Sequence, residues 1–267
     1  MNKVLFVVSE DWYFLSHRIE LAKSLIKDGK EVFLVAQAGE SSKEIEKEGI
    51  KVLPWKLNRS SKNPLVEMLS IITLVRHIKN INPDIVYSVA LKPNIYSGIA
   101  SYFVNTKRQI YAVGGLGYLF QNENKSSLQN IIKFILRSIF SRPKSKLIVQ
   151  NSFDKEFFLN LSIPERNIFL IEGSGVDTNK FCFKEINEYP CKVLFSGRLL
   201  YDKGLKDFVS LAIKFKDRND IEFIVAGERD PQNPACIEAK VIEEWKKINN
   251  IKFLGKVNDM PKLISES

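Results

Sequence analysis

Cysteine is scarce in this chain: Cys182, Cys191 and Cys236 are the three among 267 residues. None forms a C-x-x-C pair, which speaks against a zinc site and a disulfide framework and fits a reducing cytoplasm. Histidine is scarcer, with His17 and His77 alone. Carboxylates show no cluster resembling a metal site, so metal is not expected to take part. No apolar stretch reaches 18 residues, and no transmembrane helix is predicted. The opening Met1–Val8 is too short an apolar run for a signal peptide and flows straight into a strand pattern. The first strand leads to Ser9-Glu-Asp-Trp12 rather than G-x-G-x-x-G, which weakens a dinucleotide-dependent oxidoreductase reading. Nucleic-acid binding would rest on charge alone, because no recognition motif or interleaved aromatic run supports it.

What is present is a well-filled globular composition. Hydrophobic residues make up 45% and charged residues 27%, enough for a folded core in one large or two ordinary domains. The formal charge is +9, with a pI near 9.3, which favours anionic partners such as nucleotides, phosphorylated lipids or an acidic membrane. Strand and helix patterns alternate. Strands are predicted at Val4–Val8, Glu31–Ala36, Lys51–Trp55, Ile85–Val89, Gln109–Val113, Lys146–Val149 and Ile168–Ile171. A loop is expected from Ser9 to Ser16, then a helix from about His17 to Lys27 that ends at Asp28-Gly29. Pro64 starts a helix with apolar positions at Leu65, Met68, Leu69, Ile72, Leu74 and Ile78, and another follows Pro93. This order argues for a parallel sheet with helices on both faces. Polar, aperiodic Cys182–Pro190 reads as a linker. Beyond it the alternation restarts with Val193–Phe195, a helix, Ile221–Ala226, a helix over Ala235–Lys247, and Ile251–Leu254.

The segment Ser196-Gly-Arg-Leu-Leu-Tyr-Asp-Lys-Gly204 joins a strand to a helix. Gly197 permits close backbone approach, the helix start offers unpaired N–H groups, and Arg198 and Lys203 bring two cations. Such a turn can hold a diphosphate, or be an ordinary βα turn with solvated cations. His17 falls just past the first strand, where a doubly wound sheet has its cleft edge. It is either a ligand contact or a locally packed helix-start histidine, whereas His77 reads as a surface residue of an amphipathic helix. Gly114, Gly115 and Gly117 follow the strand ending at Val113, a close approach to a ligand or a tight turn. Lys92 also follows a strand end and is a candidate contact for an acceptor phosphate. The segment 128–140 is an apolar helix carrying Lys133 and Arg137. It suits an anionic membrane or a core position with a basic rim. Lys43, Lys47, Lys51, Lys56, Arg59 and Lys62 add basic surface to the first half.

Several segments together resemble family 4 retaining glycosyltransferases, particularly the bacterial branch that builds capsule and O-antigen (lipopolysaccharide) saccharides. They are Glu10-Asp-Trp-Tyr-Phe-Leu-Ser-His-Arg18, Leu91-Lys-Pro-Asn94, Gly115-Leu-Gly-Tyr-Leu-Phe120, Gln150-Asn151, Ile171-Glu-Gly-Ser-Gly-Val-Asp-Thr-Asn-Lys-Phe181, the Arg198 turn and Asp230-Pro-Gln-Asn-Pro-Ala235. The resemblance runs through essentially the whole chain in the family's order. It implies a GT-B fold of two Rossmann-like doubly wound α/β domains: an acceptor-side domain over 1–181, a linker over 182–190, and a donor-nucleotide domain over 191–267. With about three βα units, that second domain is expected to be incomplete. The family's two donor-contacting glutamates would fall beyond Ser267.

The resemblance further implies transfer of a hexose or N-acetylhexosamine from a nucleotide diphosphate, UDP being expected, to a polyprenyl-diphosphate-linked saccharide, with retention and without metal. Arg198 and Lys203 would hold the diphosphate and stabilise the leaving group, joined by Gly197, Gly204 and Glu228 in donor binding. His17 is counted as a catalytic and acceptor-side candidate, with Lys92, Gly114, Gly115 and Gly117 on the acceptor side. Many family members carry histidine where Gly114 stands, and this chain departs from them there. The expected location is the cytoplasm, peripherally on the inner face of the membrane. The alternative is a truncated, non-catalytic remnant that binds membrane or lipid-linked sugar without turnover.

Overall fold

Five consecutive buried residues in each of the first two strands require a sheet covered on both faces. In the computed structural model, which describes residues 2–57, 61, 63–115, 127–185, 189–231 and 233–267, that sheet has seven strands. They are β1 (Lys3–Glu10), β2 (Glu31–Gln37), β3 (Lys51–Pro54), β4 (Ile85–Val89), β5 (Arg108–Val113), β6 (Ser145–Val149) and β7 (Ile168–Leu170). All pair in parallel, in the order β3-β2-β1-β4-β5-β6-β7. The order reverses between β1 and β4, the point where a doubly wound sheet opens a crevice at its carboxyl edge.

Seven helices accompany these strands among the described residues: α1 (Asp11–His17), α2 (Ile19–Lys27), α3 (Ser42–Lys47), α4 (Pro64–Ile81), α5 (Leu91–Ala100), α6 (Ser127–Phe140) and α7 (Ser152–Asn160). Strand alternation sorts β1 onto two faces. Val4, Phe6 and Val8 pack with Phe14, Ala22 and Ile45 of α1–α3. Leu5 and Val7 pack with Leu74 and Ile78 of α4 and with Tyr96 and Ala100 of α5. Farther along, Tyr111 and Leu147 meet Leu136 and Phe140 of α6 and Phe158 of α7. Helices α5 and α6 approach closely at Gly98, where a Cβ would lie 2.4 Å from Ile139 Cγ2.

The chain divides into two compact units, Met1–Gly175 and Val176–Ser267. Unit 2 contains β8 (Cys191–Ser196), a 3-10 turn at Tyr201–Lys203, α8 (Leu205–Lys214), β9 (Ile221–Ala226), α9 (Ala239–Trp245), β10 (Ile251–Gly255) and α10 (Met260–Ser265). Its parallel sheet has the order β10-β9-β8. Phe223 and Val225 bury against Leu205, Val209 and Ala212 of α8 and Ile242 of α9.

Three local expectations change. Ser9–Ser16 is not a loop: β1 runs to Glu10 and α1 begins at once. Asp11 makes this possible. Its buried carboxylate accepts from its neighbour Trp12 N at 2.7 Å, from Gly39 N at 2.6 Å and from Ser42 Oγ at 2.7 Å, while Phe14 sinks into the core. His17 therefore ends α1 rather than starting a helix. The helix expected from Ala235 begins at Ala239, because Ala235–Ile237 lies against the Arg198 turn. Tyr201 N donates to Ala235 O at 2.9 Å and Ile237 N to Leu199 O at 3.1 Å. Finally, α3 and α7 occupy stretches with no helix expected. The start of α7 is capped by Asn151, whose side chain accepts from Asp154 N.

Candidate active site

Backbone stitching fixes the carboxyl edge of unit 2. Gly197 N donates to Ala226 O at 3.0 Å, Leu199 N to Glu228 O at 3.0 Å and Gly227 N to Gly255 O at 2.8 Å. The turns after β8 and β9 come so close that a Cβ at Gly227 would sit 1.8 Å from Gly197 O, and Gly227 has φ +149°. No side chain fits there. Arg198 leaves this frame with 42% of its side chain exposed, and its Nη1 meets Asp230 Oδ2 at 2.8 Å. Asp230 thus orients the guanidinium while leaving part of its donor fork available.

The 3-10 turn then places Lys203 at its end and Gly204 at φ +77°, a left-handed conformation that favours glycine and starts the ten-residue α8. Lys203 is exposed and makes no side-chain ion pair or hydrogen bond among the described residues. Two cations, a glycine and a helix amino terminus therefore share one turn, a set of donors suited to a diphosphate, with Asp202 and Asp207 as the carboxylates nearest in sequence. Glu228 is exposed on the neighbouring turn, holding Leu199 through its carbonyl. The structure thus brings Gly197, Arg198, Lys203, Gly204 and Glu228 to one edge. Beside them Gly227, Arg229, Ile242, Lys246, Phe253 and Gly255 line a cavity of about 380 Å³. Gly227 and Asp230 carry no site signal in the sequence alone. Asp230 lay inside a recognised motif, but its pairing with Arg198 spans 32 residues and has no local signature.

Unit 1 assembles its candidates on the corresponding edge of its own sheet. His17 stacks on Tyr13, with ring centroids 4.4 Å apart, and its Nδ1 lies 2.6 Å from Ser16 Oγ. Burial is the main cause holding the His17 pKa below its usual 6.5. A hydrogen bond with the Tyr13 backbone opposes this, and the Arg18 charge assists it. Past β4, Ala90 has φ +77°, a strained conformation for alanine at the switch point. Lys92 follows it and is paired with Glu67 of α4, with Nζ–Oε2 at 2.8 Å, and it also donates to Ser61 O. Its charge is already compensated by a protein carboxylate. Past β5, a Cβ at Gly114 would meet Gln150 Oε1 at 3.3 Å, whereas Gly115, at φ +137°, faces open space. Gly117 lies outside the described residues, as do Arg59 and Lys62. His17, Lys92, Gly114 and Gly115 share the edge, but no hydrogen bond among the described residues joins them. Among the described residues no group of three or more His, Cys, Asp or Glu side chains is placed to hold a metal ion. No described helix is long and apolar enough to cross a membrane.

Comparison with known proteins gives this arrangement a class. A family model described as glycosyl transferase 4-like matches residues 3–152, and one described as glycosyl transferases group 1 matches residues 177–267. The chain belongs to the glycosyl transferase 4-like family and is a glycosyltransferase. A curated relative is the N,N'-diacetylbacillosaminyl-diphospho-undecaprenol alpha-1,3-N-acetylgalactosaminyltransferase of Campylobacter jejuni. It is 26% identical over 275 residues, covering 94% of this chain and 71% of the relative. A protein in the cps region of Klebsiella pneumoniae, itself uncharacterized, is 27% identical over 276 residues, covering 88% of this chain and 68% of its own length. Among solved structures, a glycosyltransferase from Rickettsia africae superposes with a TM-score of 0.71 at 21% identity, over 100% of this chain and 71% of that one. HepE of Anabaena, in complex with UDP-glucose, gives 0.70 at 18% identity, over 100% and 72%. These neighbours establish the fold class as GT-B.

Proposed function

We propose that this glycosyltransferase moves a hexose or N-acetylhexosamine from a UDP-sugar to a polyprenyl-diphosphate-linked saccharide in surface polysaccharide synthesis, with retention of configuration. The observation that carries this reading is the Arg198–Lys203–Gly204 turn on the stitched carboxyl edge of unit 2. The acceptor class is supported by the name of the Campylobacter relative, and the uridine nucleotide by the ligand of HepE.

As the bond from the sugar to the diphosphate breaks, negative charge grows on the leaving phosphate. Arg198, held by Asp230, and Lys203 at the turn's end neutralise that charge where it forms. The amino terminus of α8 adds its N–H groups. Two side-chain cations in these positions make metal unnecessary for leaving-group stabilisation in this reading. Retention follows when the leaving phosphate itself assists the incoming hydroxyl on the same face, so no protein base is assigned.

Peripheral membrane association at the cytoplasmic face belongs to the same proposal. On α6, Ile131 and Phe134 are exposed beside Lys133 and Arg137. Exposed Tyr102 joins α6 through a 2.9 Å hydrogen bond to Ser138 and stacks on Arg142, and exposed Phe103 adjoins it. Apolar side chains interleaved with cations suit an anionic lipid surface, at about 1 kcal/mol per basic residue.

The deciding experiment is calorimetric titration with UDP, followed by a turnover assay on UDP-sugars with a polyprenyl-diphosphate-linked acceptor. Arg198→Ala and Lys203→Ala should each weaken UDP binding about tenfold or more. Unchanged UDP affinity in Arg198→Ala sinks the proposal. UDP binding without any turnover would favour the non-catalytic alternative.

A further inference from the structure

Arg18 stands between α1 and α2, outside both helices, at φ −130°. It is only 7% exposed. Its Nη1 donates to His17 O at 3.2 Å and to Ser174 Oγ at 2.7 Å. Nε is buried without an acceptor; Nη2 is not among the fully buried unpaired atoms, and no described residue accepts from it. No described carboxylate pairs with the guanidinium. A permanent charge this deeply buried, with two neutral acceptors and no counter-ion, is costly unless an anion completes it.

The surroundings supply further donors. Ser174 accepts from Arg18 through its oxygen, so its own hydroxyl proton is free to point outward. It sits between Gly173 at φ +77° and Gly175 at φ +71°, and neither glycine has a protein atom within 4 Å of where a Cβ would be. The space beside the serine is open. The nine-residue α2 begins at Ile19, and Arg18, its N-cap residue, gives it no side-chain cap.

We infer that Arg18 anchors a second anion site, lying wholly within unit 1, that takes a phosphoryl group between the guanidinium and the Ser174 hydroxyl. A planar guanidinium and a hydroxyl offer only donors to such a ligand, which matches the acceptor-only oxygens of a phosphate. This site is separate in sequence and in unit from the Arg198 turn, and its occupancy does not depend on what Arg198 and Lys203 hold. The chemistry fits either the diphosphate of a prenyl lipid or that of a nucleotide.

The test uses the whole chain carrying Arg198→Ala and Lys203→Ala, so that the turn in unit 2 is silent, titrated calorimetrically with inorganic pyrophosphate. Binding is expected in this parent. Arg18→Gln should weaken it about tenfold or more, and Ser174→Ala by about threefold to tenfold. No binding by the parent, or unchanged affinity in Arg18→Gln, overturns the site. If Arg18→Gln fails to fold, Arg18→Lys takes its place: a measurable loss supports the site, because lysine lacks the planar fork, and unchanged affinity refutes it. Acetate binding as well as pyrophosphate refutes the phosphoryl assignment. Geranyl diphosphate and UDP then distinguish the source. Arg18-dependent binding of the first assigns the lipid phosphate, and of the second the nucleotide. Dependence for neither removes the proposal.

Discussion

Gly227→Ala should be the most damaging single methyl group in unit 2. The added Cβ would lie 1.8 Å from Gly197 O and 2.8 Å from Gly197 C, both backbone atoms that cannot swing aside as a side chain end can. Overpacking of this kind costs about 1–3 kcal/mol, and an L side chain at φ +149° adds a further 1–3 or so. The sum, about 2–6 kcal/mol, is large for one substitution. For a domain the size of unit 2, each kcal/mol lowers Tm by about 4–8 °C. Gly255→Ala provides the control. It also has positive φ, +67°, but no atom within 4 Å of the new Cβ, so only the backbone cost of about 1–2 kcal/mol applies. Urea unfolding read by hydrogen exchange of the β8 and β9 amides compares the two. Where the Gly227 variant stays folded, the displaced Gly197 carbonyl should shift Arg198 and weaken UDP binding. Equal midpoints for the two variants would refute the claim that the turns are in backbone contact.

Three further outcomes are expected. Gly98→Ala should destabilise unit 1 by about 1–3 kcal/mol, because its methyl meets Ile139, and Ile139→Ala in the same chain should recover part of that loss by chemical denaturation. Partial desolvation lowers the His17 pKa below its usual 6.5, so between its folded pKa and 6.5 the unfolded chain binds the extra proton. This contribution to stability is present above 6.5 and lost as pH falls through that window. Urea midpoints at pH 7.5 and 5.5 should therefore differ less in His17→Gln than in the parent. Phe134→Ser should reduce co-sedimentation with vesicles containing anionic phosphatidylglycerol without lowering UDP affinity, and undiminished co-sedimentation would argue against α6 as the membrane contact.

Periodicity exposes every described strand. The runs in β1 and β2 are continuous and apolar, and those in β4 and β9 nearly so, broken by Ser88 and Glu222, because parallel strands bury both faces, and that signal is local. The Arg198 turn was legible for the same reason: strand, glycine, cations and helix all lie within one short stretch. Contacts between distant segments were not legible. Asp11 looked like a loop residue because its partners, Gly39 and Ser42, follow a different strand. Ala235–Ile237 has helix-compatible composition but pairs with the Arg198 turn, so tertiary contacts override propensity there. Arg18 could be read as a neighbour of His17, yet its hydrogen-bond partner Ser174 lies 156 residues away in the chain. The apolar positions of α4 could be located but not ranked, and Leu74 and Ile78 are buried while Leu65, Met68 and Leu69 are exposed.

The stitched edge of unit 2 separates what shapes the turn from what would work on it. Main-chain bonds among Gly197, Ala226, Gly227 and Gly255 set the shape, while Arg198 and Lys203 project from it with little of their side chains committed to the core. A saturation library over this edge should therefore score in two distinct ways. Changes at the close Gly197–Gly227 contact should deplete the cellular amount of protein. Changes at the two cations should leave abundance near normal and register only in a selection for sugar transfer. Chemistry can drift quickly on such a frame, because natural variation can try new side chains at the rim without first solving the folding problem again.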